Sequence, residues 1–194
     1  MTAAATLTPR PQVLSDLLPG AAVRDAVLVL AGAALVGALA QVSFPIPGTP
    51  VPVTGQTLGV LLGGAVLGGR RGLAAMALYV LAGVAGVPWF AGGTAGMVGA
   101  SFGYLLSYPL AALLVGALAG RGGDRTSLRT VATMLLGTAV IYAVGVTWLG
   151  LWLHLAPGAA LGEGMVPFLP GDLFKAAVAA LALPGAWRLV GRLR

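Results

Sequence analysis

Positive charge in this chain is confined to alternate gaps between apolar blocks. Arg10 and Arg24 precede the first block, Arg70 and Arg71 divide the second from the third, Arg121, Arg125 and Arg129 divide the fourth from the fifth, and Arg188, Arg192 and Arg194 close the sixth. The intervening connections, around 45–55, 88–99 and 154–169, contain neither Lys nor Arg. A Lys/Arg bias in short loops sets the orientation of membrane helices. The pattern therefore predicts an all-α integral membrane protein, a compact bundle of six transmembrane helices with both termini cytoplasmic. The single cation outside the scheme is Lys175.

Composition narrows the class further. Hydrophobic residues make up 58% of the 194 and charged residues 8%, against roughly 25% charged in soluble domains. Such a chain cannot cover a water-facing surface, and its surroundings are expected to be membrane lipid. The net charge of +6 lies in short loops without aromatic interleaving or a basic helix face, so nucleic acid is not an expected partner. There are no cysteines, hence no disulfides or thiolate metal sites, and with one His and five acidic residues no dedicated transition-metal site is expected. No cofactor is expected. The Arg-over-Lys and Ala/Gly bias resembles a high-GC bacterial genome and points to a bacterial plasma (inner) membrane.

Residues 1–22 read as a cytoplasmic N-terminal tail with a short amphipathic segment around Leu14–Leu18, and residues 23–194 as one transmembrane substrate-binding domain. The spans are predicted at Val23–Phe44, Leu58–Gly69, Leu73–Val87, Phe102–Leu118, Val131–Leu153 and from Pro170 to near Trp187. A bilayer core needs about 20 apolar residues per helix, so the second and third are short, and Gly-Gly-Arg-Arg-Gly between them reads as a tight cytoplasmic turn. In the first span Ala33/Gly37 and Ala34/Ala38 are small residues four apart, a spacing that lets another helix approach closely. Pro45, Pro47, Pro50 and Pro52 exclude helix from the next stretch, yet it carries no charge. Irregular apolar backbone at membrane depth must be buried in protein or line a cavity, which suits a stiff lid at the outer face. Trp89, Trp148 and Trp152 fit an interfacial aromatic belt.

The segment Pro170-Gly-Asp-Leu-Phe-Lys175 places an acid and a base three residues apart, on one helix face. An ionisable residue at the centre of a membrane helix costs about 2.5–3.5 kcal/mol, and a Lys at a helix N-terminus opposes the macrodipole. Capping by Asp172 and snorkelling by Lys175 are the plainer reading. Substrate contact explains an outer-face Lys better. Lys175 suits a ligand carboxylate and Asp172 suits N–H donors, while Phe44, Trp89, Phe90 and Tyr104 offer an apolar slot beside them.

On these residues the chain resembles the BioY family, the biotin-binding S components of energy-coupling-factor (ECF) transporters. The resemblance rests on Ala40-Gln41, on Pro50-Val-Pro-Val-Thr-Gly-Gln-Thr-Leu58, on Gly86-Val-Pro-Trp-Phe-Ala-Gly-Gly93, on Gly103-Tyr-Leu-Leu106 and on Pro170–Lys175. It implies six helices around an outward cavity for biotin, closed by the loop between the first two. The implied substrate contacts are Asp172 to the ureido ring and Lys175 to the carboxylate, with Phe44, Thr54, Gln56, Trp89, Phe90, Gly93 and Tyr104 around the ligand. It also implies that Ala33, Ala34, Gly37 and Ala38 meet a transmembrane coupling protein that works with two cytoplasmic ATPases. The chain itself carries no Walker-type phosphate loop, and a homo-oligomer is a further option. The family commonly reads Gly-Pro-Thr-Gly-Gly-Tyr where this chain has Gly99-Ala-Ser-Phe-Gly-Tyr104, which alters the loop before the fourth span. Two alternatives stand beside biotin. One is an S component for another small vitamin. The other is an intramembrane serine protease, since Gly99-Ala-Ser-Phe-Gly103 fits Gly-x-Ser-x-Gly and Ser101 with His154 would form its dyad.

Overall fold

A computed structural model describes residues 13–18, 22–97 and 99–192. Arg10, Arg194 and most of the expected N-terminal tail lie outside the described residues. The first membrane helix, α1 (Ala22–Ala40), ends before Phe44, because Ser43–Phe44 (β1) pairs antiparallel with Val53–Thr54 (β2) in a small hairpin that holds the proline segment at its tip. Next come α2 (Gln56–Leu67) and α3 (Gly69–Val84). They are separated by Gly68 alone, whose φ of 83° suits a residue without Cβ. Arg70 and Arg71 therefore lie in the first turn of α3, not in a loop.

The chain continues through α4 (Phe102–Gly120) and α5 (Ser127–Leu153). Where the sequence reads as an outer loop, it forms α6 (Pro157–Gly164) and a 3-10 turn at Val166–Phe168 before α7 (Leu169–Arg192). Pro157 sits at the start of α6, where a missing N–H costs nothing and the fixed φ is already helical. Among the described residues four helical stretches, at Ala22–Ala40, Gly99–Gly120, Ser127–Leu153 and Pro157–Arg192, are long and apolar enough to cross a membrane. With α2 and α3 they make the six-helix bundle. At 12 residues, α2 is only about 18 Å long. It is enclosed by its neighbours and has no exposed residue, so its ends meet protein rather than lipid.

The arginines of the described residues gather at one end. Arg71 Nη1 donates to Ser15 Oγ (2.9 Å) and Asp16 Oδ1 (3.0 Å), and its Nε lies 3.1 Å from Asp25 Oδ1. Ser15 Oγ donates to the Leu67 carbonyl, so the 3-10 turn Leu14–Leu17 is strapped beneath the α2–α3 junction. At the same end Trp187 Nε1 of α7 donates to Asp124 Oδ2 at 2.7 Å, and the Arg125 guanidinium stacks on the Trp187 ring. Burial pushes the Asp124 carboxyl above its usual range, opposed by the Trp187 hydrogen bond.

The small residues of α1 divide between two faces. Ala33 is 1% exposed, and a side chain at Gly37 would meet the Trp89 ring at 3.3 Å. Ala33 and Gly37 are thus covered from within, which corrects the expectation that they meet a partner. Ala34 and Ala38 remain exposed.

Candidate functional site

At the end opposite the arginines the bundle encloses a cavity of about 480 Å³. Val51 and Pro52 of the proline segment form part of its wall, as do Phe90, Ala91, Thr94 and Ala95 from the connection after α3. The hairpin therefore lies over a cavity, as an apolar loop without charge requires. Most of the lining surface is apolar, and its two charged groups, Asp172 and Lys175, stand together at one side.

That side is built where α2, α5 and α7 meet. Asp172 and Lys175 lie one helical turn apart on α7, and Lys175 Nζ stands 3.3 Å from Asp172 Oδ1. Lys175 Nζ also donates to Thr57 Oγ1 of α2 at 2.7 Å, and the Tyr142 hydroxyl of α5 donates to Asp172 Oδ2. Asp172 lies in the first turn of α7, where a negative charge complements the helix dipole. Side-chain exposures of 15% for Lys175 and 10% for Asp172 make this a largely desolvated pair in the cavity wall.

Another part of the wall carries a buried polar network. Tyr108 OH donates to Gln56 Oε1 (3.2 Å), Gln56 Nε2 to Tyr79 OH (2.6 Å), and Tyr79 OH to the Trp89 carbonyl (3.2 Å). Gln41 Nε2 reaches the carbonyls of Trp89 and Phe90 from the end of α1. The network holds the loop that bears Phe90 against the bundle. Replacing Tyr79 by Phe leaves Gln56 Nε2 buried without an acceptor, a loss of about 1–3 kcal/mol. Tyr79→Phe is expected to lower the thermal midpoint in detergent; an unshifted midpoint would show that the network contributes no stability.

Of the residues the sequence singled out, Thr54, Gln56, Phe90, Tyr104, Asp172 and Lys175 share the cavity wall. Phe44 does not: it is 61% exposed on β1. Trp89 stands behind the wall, its indole N–H donating to the Tyr79 carbonyl, and Gly93 forms a turn with φ 71° outside the lining. Sequence reasoning missed Thr57, Tyr108, Thr138, Ile141, Tyr142 and Phe168 in the wall. Thr57 lies within the Pro50–Leu58 motif, whereas Tyr142 carries no signal that separates it from other aromatic residues of an apolar span. Ser101 lines the cavity, but His154 is exposed and closes α5 in a left-handed conformation with φ 55°.

Together these features define a membrane-embedded small-molecule-binding protein, with a ligand chamber at one end of a six-helix bundle. More particularly, the chain belongs to the BioY family, whose model matches residues 7–192. It is 36% identical over 174 residues to a protein of Rhizobium etli named biotin transporter BioY, covering 81% of this chain and 90% of that one. A protein of the same name from Thermotoga maritima is 39% identical over 151 residues, 76% of this chain and 86% of the relative. The fold resembles a crystal structure of the S-component for biotin from an ECF-type ABC transporter, with a TM-score of 0.77 at 22% identity over 86% of this chain and 92% of that one. Family membership overturns the serine-protease alternative, and the placement of His154 outside the cavity agrees.

Proposed function

We propose that this chain captures biotin at the outer face of a bacterial plasma membrane and carries it inward as the S component of an ECF transporter. The arginine bias supports the orientation, with the strapped end toward the cytoplasm. The reading is carried by the Asp172–Lys175 pair at one end of a cavity of about 480 Å³, in a chain of this family. That volume is within the range of about 300–1,000 Å³ typical of ligand sites. Lys175 was expected at the ligand carboxylate. Its 3.3 Å approach to Asp172 makes the pair neutral overall, so both groups are assigned to the ureido ring, Asp172 accepting an N–H and Lys175 donating to the C=O.

The test is calorimetric titration of the purified, detergent-solubilised protein with biotin. One-to-one binding is expected; a folded protein that does not bind biotin sinks the reading, and other vitamins then become the candidates. The partner reading places a transmembrane coupling protein, working with two cytoplasmic ATPases, against the exposed face of α1 at Ala34 and Ala38. Ala38→Trp is expected to abolish co-purification with that partner while leaving biotin binding intact. Retention of the complex would move the interface elsewhere.

A further inference from the structure

We propose that Thr57 and Tyr142 are positioning residues that hold the Asp172–Lys175 pair open for a cyclic urea. This rests on the biotin reading and extends it to two residues on different helices. Lys175 Nζ lies 2.7 Å from Thr57 Oγ1 but 3.3 Å from Asp172 Oδ1. A charge-assisted N–H···O contact is ordinarily about 2.7–2.9 Å, so the ammonium is closer to the neutral hydroxyl than to its counter-ion. Asp172 is drawn the other way, because its second oxygen accepts the Tyr142 hydroxyl. One clamp comes from α2 and the other from α5, with the charged pair on α7 between them.

The consequence is chemical. An ammonium has three donors and a carboxylate about four acceptor sites. Among the described residues Lys175 donates to Thr57 and Asp172, and Asp172 accepts from Tyr142 and Lys175. One donor and two acceptor sites are left beside each other at the cavity wall. A urea presents an N–H next to a C=O and answers both at once without adding charge. A ligand carboxylate at this spot would be repelled by Asp172 about as much as Lys175 attracts it. Without the clamps the two charges close onto each other and the complementary spacing is lost.

The experiment compares biotin and desthiobiotin, which share the cyclic urea, by calorimetry on wild type, Thr57→Val and Tyr142→Phe. Each variant keeps the shape of its residue and removes one hydroxyl. Each is expected to weaken both ligands about ten-fold or more, the effect of losing a hydrogen bond to a charged group. Thr57→Ser, which returns the hydroxyl, is expected to recover most of the loss. Because Tyr142 acts through Asp172, Tyr142→Phe should have little further effect in an Asp172→Ala background, where the oxygen that the Tyr142 hydroxyl holds is gone. Wild-type affinity in both variants, or an equal loss from Tyr142→Phe with and without Asp172, overturns the proposal. Thermal unfolding checks each protein, and if Tyr142→Phe does not fold, Thr57→Val and its serine rescue decide. Failure of wild type to bind biotin counts against the functional reading; binding by wild type with indifferent variants counts against the clamps alone.

Discussion

Asp172→Asn is expected to weaken biotin binding on the order of a hundred-fold, the upper range for a lost hydrogen bond to a charged group. The substitution preserves volume, so the cavity keeps its shape, and the Tyr142 hydroxyl still finds an oxygen. What changes is electrostatic. The Lys175 ammonium, 15% exposed, loses its counter-ion in a largely desolvated site, and the ligand N–H meets an amide in place of a carboxylate. Removing one member of a buried pair leaves an uncompensated charge and costs about 3–5 kcal/mol, whereas removing both is close to neutral. The two members must therefore separate stability from binding. Asp172→Asn and Lys175→Met should each lower the thermal midpoint, and the double variant should regain it without regaining biotin. If the single variants bind biotin as wild type does, the ligand does not contact this pair, and the cavity's function must be assigned to other walls.

Much of the architecture is legible in the sequence because membrane insertion constrains charge more tightly than it constrains anything else. Arg70, Arg71, Arg121, Arg125, Arg129, Arg188 and Arg192 lie at or beside helix ends on one side of the bundle, as the alternation of charged gaps implies. Element ends were less legible. The span predicted to Phe44 stops at Ala40 since a β-bridge competes for the last residues, and α6 was hidden because Pro157 and Pro167 look like loop residues unless one falls at a helix start. The site was legible where a residue type is out of place: a Lys and an Asp in an apolar helix, or four prolines in an apolar loop. It was illegible where the functional residue resembles its background. Tyr142 and Thr138 are ordinary residues of a membrane helix, and only the crossing of α5 with α7 turns Tyr142 toward Asp172. Small residues mislead for a related reason. Ala33/Gly37 and Ala34/Ala38 have identical spacing, but a helix turns about 100° per residue, so one pair packs inside while the other faces outward.

Gly116→Ala is expected to destabilise the protein by more than about 3 kcal/mol. A Cβ built at Gly116 would stand 2.3 Å from Gly69 N, 2.4 Å from the Gly68 carbonyl carbon and 2.7 Å from Gly64 O. All three are backbone atoms, so no rotamer change relieves the contact. Here α4 crosses the α2–α3 junction backbone against backbone, and a Cβ built at Gly64 would likewise stand 2.8 Å from Ala112 O and 2.9 Å from its Cα. Overpacking typically costs about 1–3 kcal/mol when side chains can yield; a shift of two helices costs more. The gain of about 1 kcal/mol that Ala has over Gly in a helix opposes the loss without cancelling it. Gly162 in α6 supplies the control, since nothing lies within 4 Å of its Cβ position, and Gly162→Ala should be neutral or slightly stabilising. The effect should reach the ligand as well. Gln56 and Thr57 stand at the far end of the short α2, so pushing α2 away from α4 displaces the Thr57 hydroxyl from Lys175. Thermal unfolding and biotin titration of the same Gly116→Ala sample check both consequences, and a wild-type midpoint would mean that the α4 crossing is looser than these distances imply.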